Sequence, residues 1–214
     1  MTHGLPSGGV EITEAEAQGR WAAAWSPAEV AERLAGVSAP WYVAGGWAVD
    51  LFLGGRTRAH SDLEIAVPAA RFGEVRDRFP GFVFDVVASD RVWELTPEVA
   101  DLTHQTWLRD PSTGNFLVDV FREPHDGPTW ICRRDPSIRL PYADVVRRTP
   151  DGIPYLAPEL ALLFKAKATR PKDQRDFDGA LALMDDRQRR TLAGLLARAH
   201  PGHVWLTTLR AHGG

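Results

Sequence analysis

Apolar and polar positions change their period several times along the chain. Trp41-Tyr42-Val43-Ala44 is an apolar run that ends on Gly45-Gly46, and an amphipathic segment, Trp47–Leu53, follows it. That order predicts a strand, a tight turn and a helix. Leu63–Val67 reads as the next strand, Pro68 opens a helix over Ala69–Phe79, and Phe82–Val87 resumes strand character. Arg91–Leu95, His104–Leu108 and Phe116–Phe121 then form a meander, its last two members joined as a hairpin by Asp110-Pro111-Ser112-Thr113-Gly114-Asn115. Thr129–Cys132 is expected as an edge strand. Beyond about Pro154 the period becomes helical, over Pro158–Thr169, Pro171–Met184, Arg187–Ala199 and Val204–Arg210. Near the start, Thr13-Glu14-Ala15-Glu16 and Ser26-Pro27-Ala28-Glu29 have capping-box form. Two helices should begin there and run to about Trp25 and Leu34.

Placing the charged residues on this frame picks out candidates for chemistry. Side chains alternate faces along a strand, so Asp62 and Glu64 point the same way while Leu63 and Ile65 enter a core. Two carboxylates on one face repel unless a cation lies between them. Magnesium suits such a pair, because it prefers hard oxygen ligands and the phosphates of a nucleotide. Gly45 and Gly46 let the backbone approach those phosphates, and the helix N-terminus after them favours an anion. The other reading of Asp62 and Glu64 is the solvated acidic face of an edge strand. Asp119 stands in the apolar strand Phe116-Leu117-Val118-Asp119-Val120-Phe121, where an unpaired carboxylate is costly to bury. A structural ion pair with Arg122 or Arg109 is the alternative to a functional role.

Arg56, Arg58 and His60 precede the acidic strand and would either meet phosphates or be solvated. Lys165 and Lys167 point about 200° apart on their helix, so they do not share a target. Lys172, Asp173 and Asp176 form a polar helix start, which on its own reads as a capped, solvated turn. His104, with Gln105 and Trp107, would contact a base or an acceptor, or be an ordinary core or surface histidine. Trp47 is expected to pack beneath the glycine turn. Trp93, Trp107 and Trp130 would line an aromatic acceptor cleft or belong to the core.

These segments together resemble the nucleotidyltransferase fold of DNA polymerase beta, and more narrowly the aminoglycoside and lincosamide nucleotidyltransferases. The likeness rests on Gly45-Gly46-Trp47-Ala48-Val49-Asp50, on Arg56-Thr57-Arg58-Ala59-His60-Ser61-Asp62-Leu63-Glu64, and on Leu117-Val118-Asp119-Val120-Phe121. It extends through Tyr155-Leu156-Ala157-Pro158-Glu159 and Lys165-Ala166-Lys167 to Pro171-Lys172-Asp173-Gln174-Arg175-Asp176-Phe177, so it covers roughly residues 41–180. It implies an α+β fold, with a mixed sheet and flanking helices over residues 10–150 and a helical C-terminal domain over 151–214. It also implies a cleft between the two parts for the acceptor.

The activity implied is transfer of a nucleoside monophosphate from ATP, or another NTP, to a hydroxyl of a small acceptor such as an antibiotic, with Mg2+. Asp62 and Glu64 would be metal ligands, and Asp119 the third acid, as general base or further ligand, with Glu123 a weaker candidate. Gly45, Gly46, Arg58, Lys165 and Lys172 would bind the nucleotide. The family more often has Asp where Glu64 stands, one methylene shorter. Two other readings stay open: transfer to protein or RNA in a toxin–antitoxin system, and a non-catalytic nucleotide-binding module.

Composition narrows the partners. With 214 residues and 44% hydrophobic content, the chain suits one large domain or two small ones. A net charge of −3 argues against a general nucleic-acid binder. Cys132 is the one cysteine, so no internal disulfide forms. Met1–Gly9 lacks the pattern of a secretory leader, and no apolar run approaches about 18 residues, so a cytoplasmic protein is expected, with no membrane partner. A monomer or homodimer is expected. Arginine outnumbers lysine heavily, a coding bias of high-GC bacterial genomes, which makes Lys165, Lys167 and Lys172 stand out.

Overall fold

The computed structural model describes residues 6–211, so the leader reading of Met1–Gly9 falls partly outside them. Contacts sort into two compact units. The first takes the chain up to Trp41 and His60–His125, the second Tyr42–Ala59 and everything from Asp126 on.

The first unit is built on six strands in the order Val10–Glu11, Arg91–Glu94, Val83–Ala88, Gln105–Arg109, Phe116–Glu123 and Glu64–Pro68. Glu64–Pro68 runs parallel to Phe116–Glu123, and the other pairs of neighbours are antiparallel, so the sheet is mixed as expected. Phe116–Val120 is buried without a break, which is why its sequence lacks a two-residue alternation. Both capping boxes form. Thr13 and Ser26 each accept from the backbone N–H three residues on, and Glu16 and Glu29 return the bond. Trp21 packs with Ile12, Val92 and Phe116 to close one apolar cluster.

The helix expected over Ala69–Phe79 is shorter, a 3-10 turn over Ala69–Arg71 followed by Phe72–Arg76. Pro80 disfavours helical geometry at the residue before it, and Phe79 packs against Trp25, Phe82 and Phe84. Strand Val10–Glu11 was not anticipated, because two residues are too few to show a period.

In the second unit, helix Gly45–Leu53 begins at Gly45, whose φ of 60° suits glycine. Left-handed Gly54 ends it. This helix packs against Pro158–Lys165 and Pro171–Leu183. That packing is why contacts cluster along a line other than the expected division at residue 150. Tyr42–Val43 pairs in parallel with Pro154–Leu156, which pairs antiparallel with Val146–Arg148. Thr129–Ile131 pairs with Arg139–Pro141 in a separate small sheet, so it is not the edge strand expected of the larger one. The last helices are Asp186–Ala199 and Trp205–Ala211, and Phe177 stacks on Trp205 with centroids 4.3 Å apart. Among the described residues no helix is long and apolar enough to cross a membrane.

Candidate active site

The acidic pair is placed by strand register. Glu64 opens its strand and lies directly beside Asp119 on the parallel neighbour, whose backbone N–H bonds Leu63 O at 2.8 Å. Opposed residues on adjacent strands share a face, so these two carboxylates look the same way while Leu63 and Ile65 are fully buried in the core. Asp62 stands just before the strand, half-buried, and takes a bond from Ser61 Oγ at 3.2 Å.

Asp119 is 2% exposed. Its Oδ2 accepts from Gln105 Nε2 at 2.6 Å, and its Oδ1 is buried with no hydrogen-bond partner. The ion pairs considered from sequence are not made. Arg109 binds Asp85, and Arg122 binds Thr106 Oγ1 and the carbonyls of Ala100 and Thr103. Burial pushes the Asp119 carboxyl well above the usual carboxylate range, and the charge of Glu64 raises it further. The Gln105 bond opposes the shift, and Asp62 adds to it. A buried carboxylate without a counter-charge, next to two more, is a donor set that suits a hard divalent cation. Among the described residues, however, no three such side chains are already gathered as a ligand group. Glu64 and Asp119 are brought together, and Asp62 stands beside them as a neighbouring charge.

The basic candidates of the second unit have a different setting. Arg58 holds Asp176 through Nε and Nη2, both at 3.0 Å. Lys165 Nζ lies 3.1 Å from Asp173 Oδ1 and 2.8 Å from Asp176 Oδ2. Asp173 also accepts from the backbone N–H and the guanidinium of Arg170, closing a capping box. The turn at Lys172 is therefore capped, as read from sequence, but its two aspartates are buried rather than solvated. Burial favours their neutral forms, yet the cations win, and Asp173 is held at about 2. Lys172 itself is half-buried and makes no hydrogen bond or ion pair with any described residue. Lys167 is exposed.

At the head of helix Gly45–Leu53 no side chain supplies a cap, so its first N–H groups are left to other partners. Arg56 lies over Trp47, its guanidinium carbon 5.4 Å from the ring centroid. Trp93 and Trp130 are core residues, and Trp107 packs on Trp21 and Phe116, so these rings do not form an aromatic cleft. His104 packs on Phe121, and Glu123 is buried. Sequence reasoning named Gln105 only as a neighbour of His104. Its link to Asp119 depends on the pairing of two strands, which no local period reveals.

Residues 28–103 match the family described as aminoglycoside-2''-adenylyltransferase, a span that includes Gly45, Gly46, Asp62 and Glu64 and ends before Asp119. The lincomycin-bound lincosamide antibiotic adenylyltransferase LnuA superposes with a TM-score of 0.52 at 17% identity, over 82% of this chain and 100% of that one. The antibiotic-resistance factor ANT(2'')-Ia in solution gives 0.53 at 15% identity, over 86% of this chain and 93% of its own. Its complex with adenylyl-2''-tobramycin gives 0.52 at 14% identity, over 80% and 95%. The fold is a nucleotidyltransferase fold. Family match and fold together support a nucleotidyltransferase enzyme, the activity implied by the sequence resemblance. No curated protein matches the chain by sequence.

Proposed function

We propose that this chain is a magnesium-dependent nucleotidyltransferase that moves a nucleoside monophosphate from ATP, or another NTP, to a hydroxyl of a small antibiotic-like acceptor. The observation that carries the reading is Asp119, a buried carboxylate beside Glu64 with one oxygen unpartnered and no cationic partner among the described residues. Such a group is costly unless something binds it. LnuA, a lincosamide antibiotic adenylyltransferase bound to lincomycin, and ANT(2'')-Ia, an antibiotic-resistance factor in complex with adenylyl-2''-tobramycin, share the fold and motivate the choice of acceptor.

Asp62, Glu64 and Asp119 would hold the cation, which supplies charge neutralisation for the triphosphate. Asp119 would take the proton of the acceptor hydroxyl, and its upward-shifted basicity suits that task. Gly45 and Gly46 would offer backbone N–H groups to phosphate. Lys165 spends two of its three ammonium donors on Asp173 and Asp176, and the third remains for a phosphate oxygen. Lys172, which has no hydrogen-bond or ion-pair partner among the described residues, would serve the same ligand. Arg58 is committed to Asp176 and would act through it. A cytoplasmic location accords with use of ATP.

The test is release of pyrophosphate from ATP, GTP, CTP and UTP, each with magnesium or EDTA, against a panel that includes tobramycin and lincomycin. Release that needs one acceptor and the metal is expected. No release with any acceptor, together with nucleotide affinity unchanged by EDTA, would sink the reading.

A further inference from the structure

Asp119 has two oxygens in unlike settings, and one neighbour creates the difference. Gln105 pairs with Phe121, two positions along the antiparallel ladder from the Trp107–Asp119 pair, a diagonal that a long side chain can span. Its amide reaches Asp119 Oδ2 at 2.6 Å. In the ionised form, the one able to take a proton, Asp119 can only accept, so the NH2 group of Gln105 faces it. Glu64 and Asp62 approach the same carboxyl only as like charges. Gln105 makes the short, direct bond to it, and the Trp107 side chain adds a weaker stabilising contact.

We propose that Gln105 is a positioning residue: by binding Asp119 Oδ2 it fixes the carboxyl and presents Oδ1 as the oxygen that meets the reacting group. This rests on the nucleotidyltransferase reading. In the step concerned, the acceptor hydroxyl gives its proton to Oδ1. Its oxygen bonds the α-phosphorus, and the bond to pyrophosphate breaks with the electron pair leaving on pyrophosphate. A carboxyl free to turn about its Cβ–Cγ bond would present either oxygen and miss that geometry for part of the time. Groups that orient a functional carboxylate in this way typically matter about 10–100-fold in activity or metal affinity.

The experiment is a double-mutant cycle on the full chain with Gln105→Leu, Asp119→Asn and the pair, plus Gln105→Asn, whose amide is too short to reach. Two properties are read: turnover in the pyrophosphate assay, and affinity for Mn2+ alone by electron paramagnetic resonance. Thermal melting confirms that each variant folds. Gln105→Leu and Gln105→Asn should each lower, about 10–100-fold, whichever property Asp119→Asn lowers. The double variant should be no worse than Asp119→Asn alone, because a positioning residue has nothing left to position. Wild-type behaviour of both Gln105 variants, or a full extra loss on top of Asp119→Asn, would overturn the assignment and leave the enzyme reading standing. Wild-type values of both properties in Asp119→Asn would remove the enzyme reading itself, and this inference with it.

Discussion

Two groups of buried charge, one in each compact unit, are built on opposite principles. In the C-terminal unit Arg58, Lys165 and Arg170 meet Asp173 and Asp176, and each aspartate is bonded by at least two cations. In the sheet unit Asp119 and Glu64 stand in register with Asp62 nearby, three carboxyl groups with no cation among them, and Asp119 has only the neutral donors Gln105 and Trp107 for company. The first group is electrostatically closed and the second open. Closed networks hold elements together, here the segment after Gly54 and the helix Pro171–Leu183. An open one is a standing cost that only a ligand offsets. The contrast separates two kinds of charged residue that look alike in sequence.

The sharpest way to break the contrast is the same substitution in both groups. Asp119→Asn should lower turnover by about 10²–10⁴-fold, the usual loss of a general base. If Asp119 is chiefly a base, ATP affinity stays nearly constant; if it is chiefly a metal ligand, affinity falls with turnover. Asp62→Asn should weaken magnesium-dependent ATP binding measured by calorimetry, because a ligand charge is lost. In metal-free buffer Asp119→Asn should also melt no lower than wild type, since it removes a buried charge that its neighbours repel. A clear drop in melting temperature there would mean that Asp119 is a structural acid after all.

Asp176→Asn should do the reverse. It leaves Arg58 and Lys165 without the carboxylate that separates them, and losing one partner of a buried pair typically costs about 3–5 kcal/mol. Urea unfolding monitored by tryptophan fluorescence measures this. A loss below about 1 kcal/mol, the range of exposed pairs, would show that the network is not closed as described.

The contrast also explains what could be read ahead of the structure. The main strands and long helices follow from periods of two and 3.6, and both capping boxes follow from Thr13–Glu16 and Ser26–Glu29. Glu64 could be named because its i, i+2 spacing puts it on one face with Asp62, and Asp119 because a carboxylate inside an apolar run is expensive wherever the run folds. Their register, and the Gln105 contact, could not, because pairing of strands distant in sequence leaves no local mark. The ion network was misjudged for the same reason. Lys172-Asp173 reads as a polar surface turn until Lys165 and Arg58 are seen to converge on Asp173 and Asp176. The strands Val146–Arg148 and Pro154–Leu156 were missed because three residues carry no measurable period.

The smallest expected effect is the pH dependence of the closed network. Asp173 is held at about 2 against an ordinary 3.8. Burial alone would raise it, but the bonds from Arg170 and the charge of Lys165 outweigh burial. A carboxyl whose pKa is depressed on folding stabilises the protein fully above its unfolded value, and that contribution is lost as pH falls through the folded value. The window here is therefore from about 3.8 down to about 2. The whole contribution is at most about 2–3 kcal/mol, from roughly 1.4 kcal/mol per pH unit. Urea midpoints at pH 5 and pH 2.5 should fall further for wild type than for Asp173→Asn, which has no such proton to gain. Asp176, also depressed, keeps its own share of the loss in the variant, so the two curves should approach one another in acid without meeting. Equal losses in both proteins would mean that Asp173 draws nothing from its cations, and that this group is open like the one around Asp119.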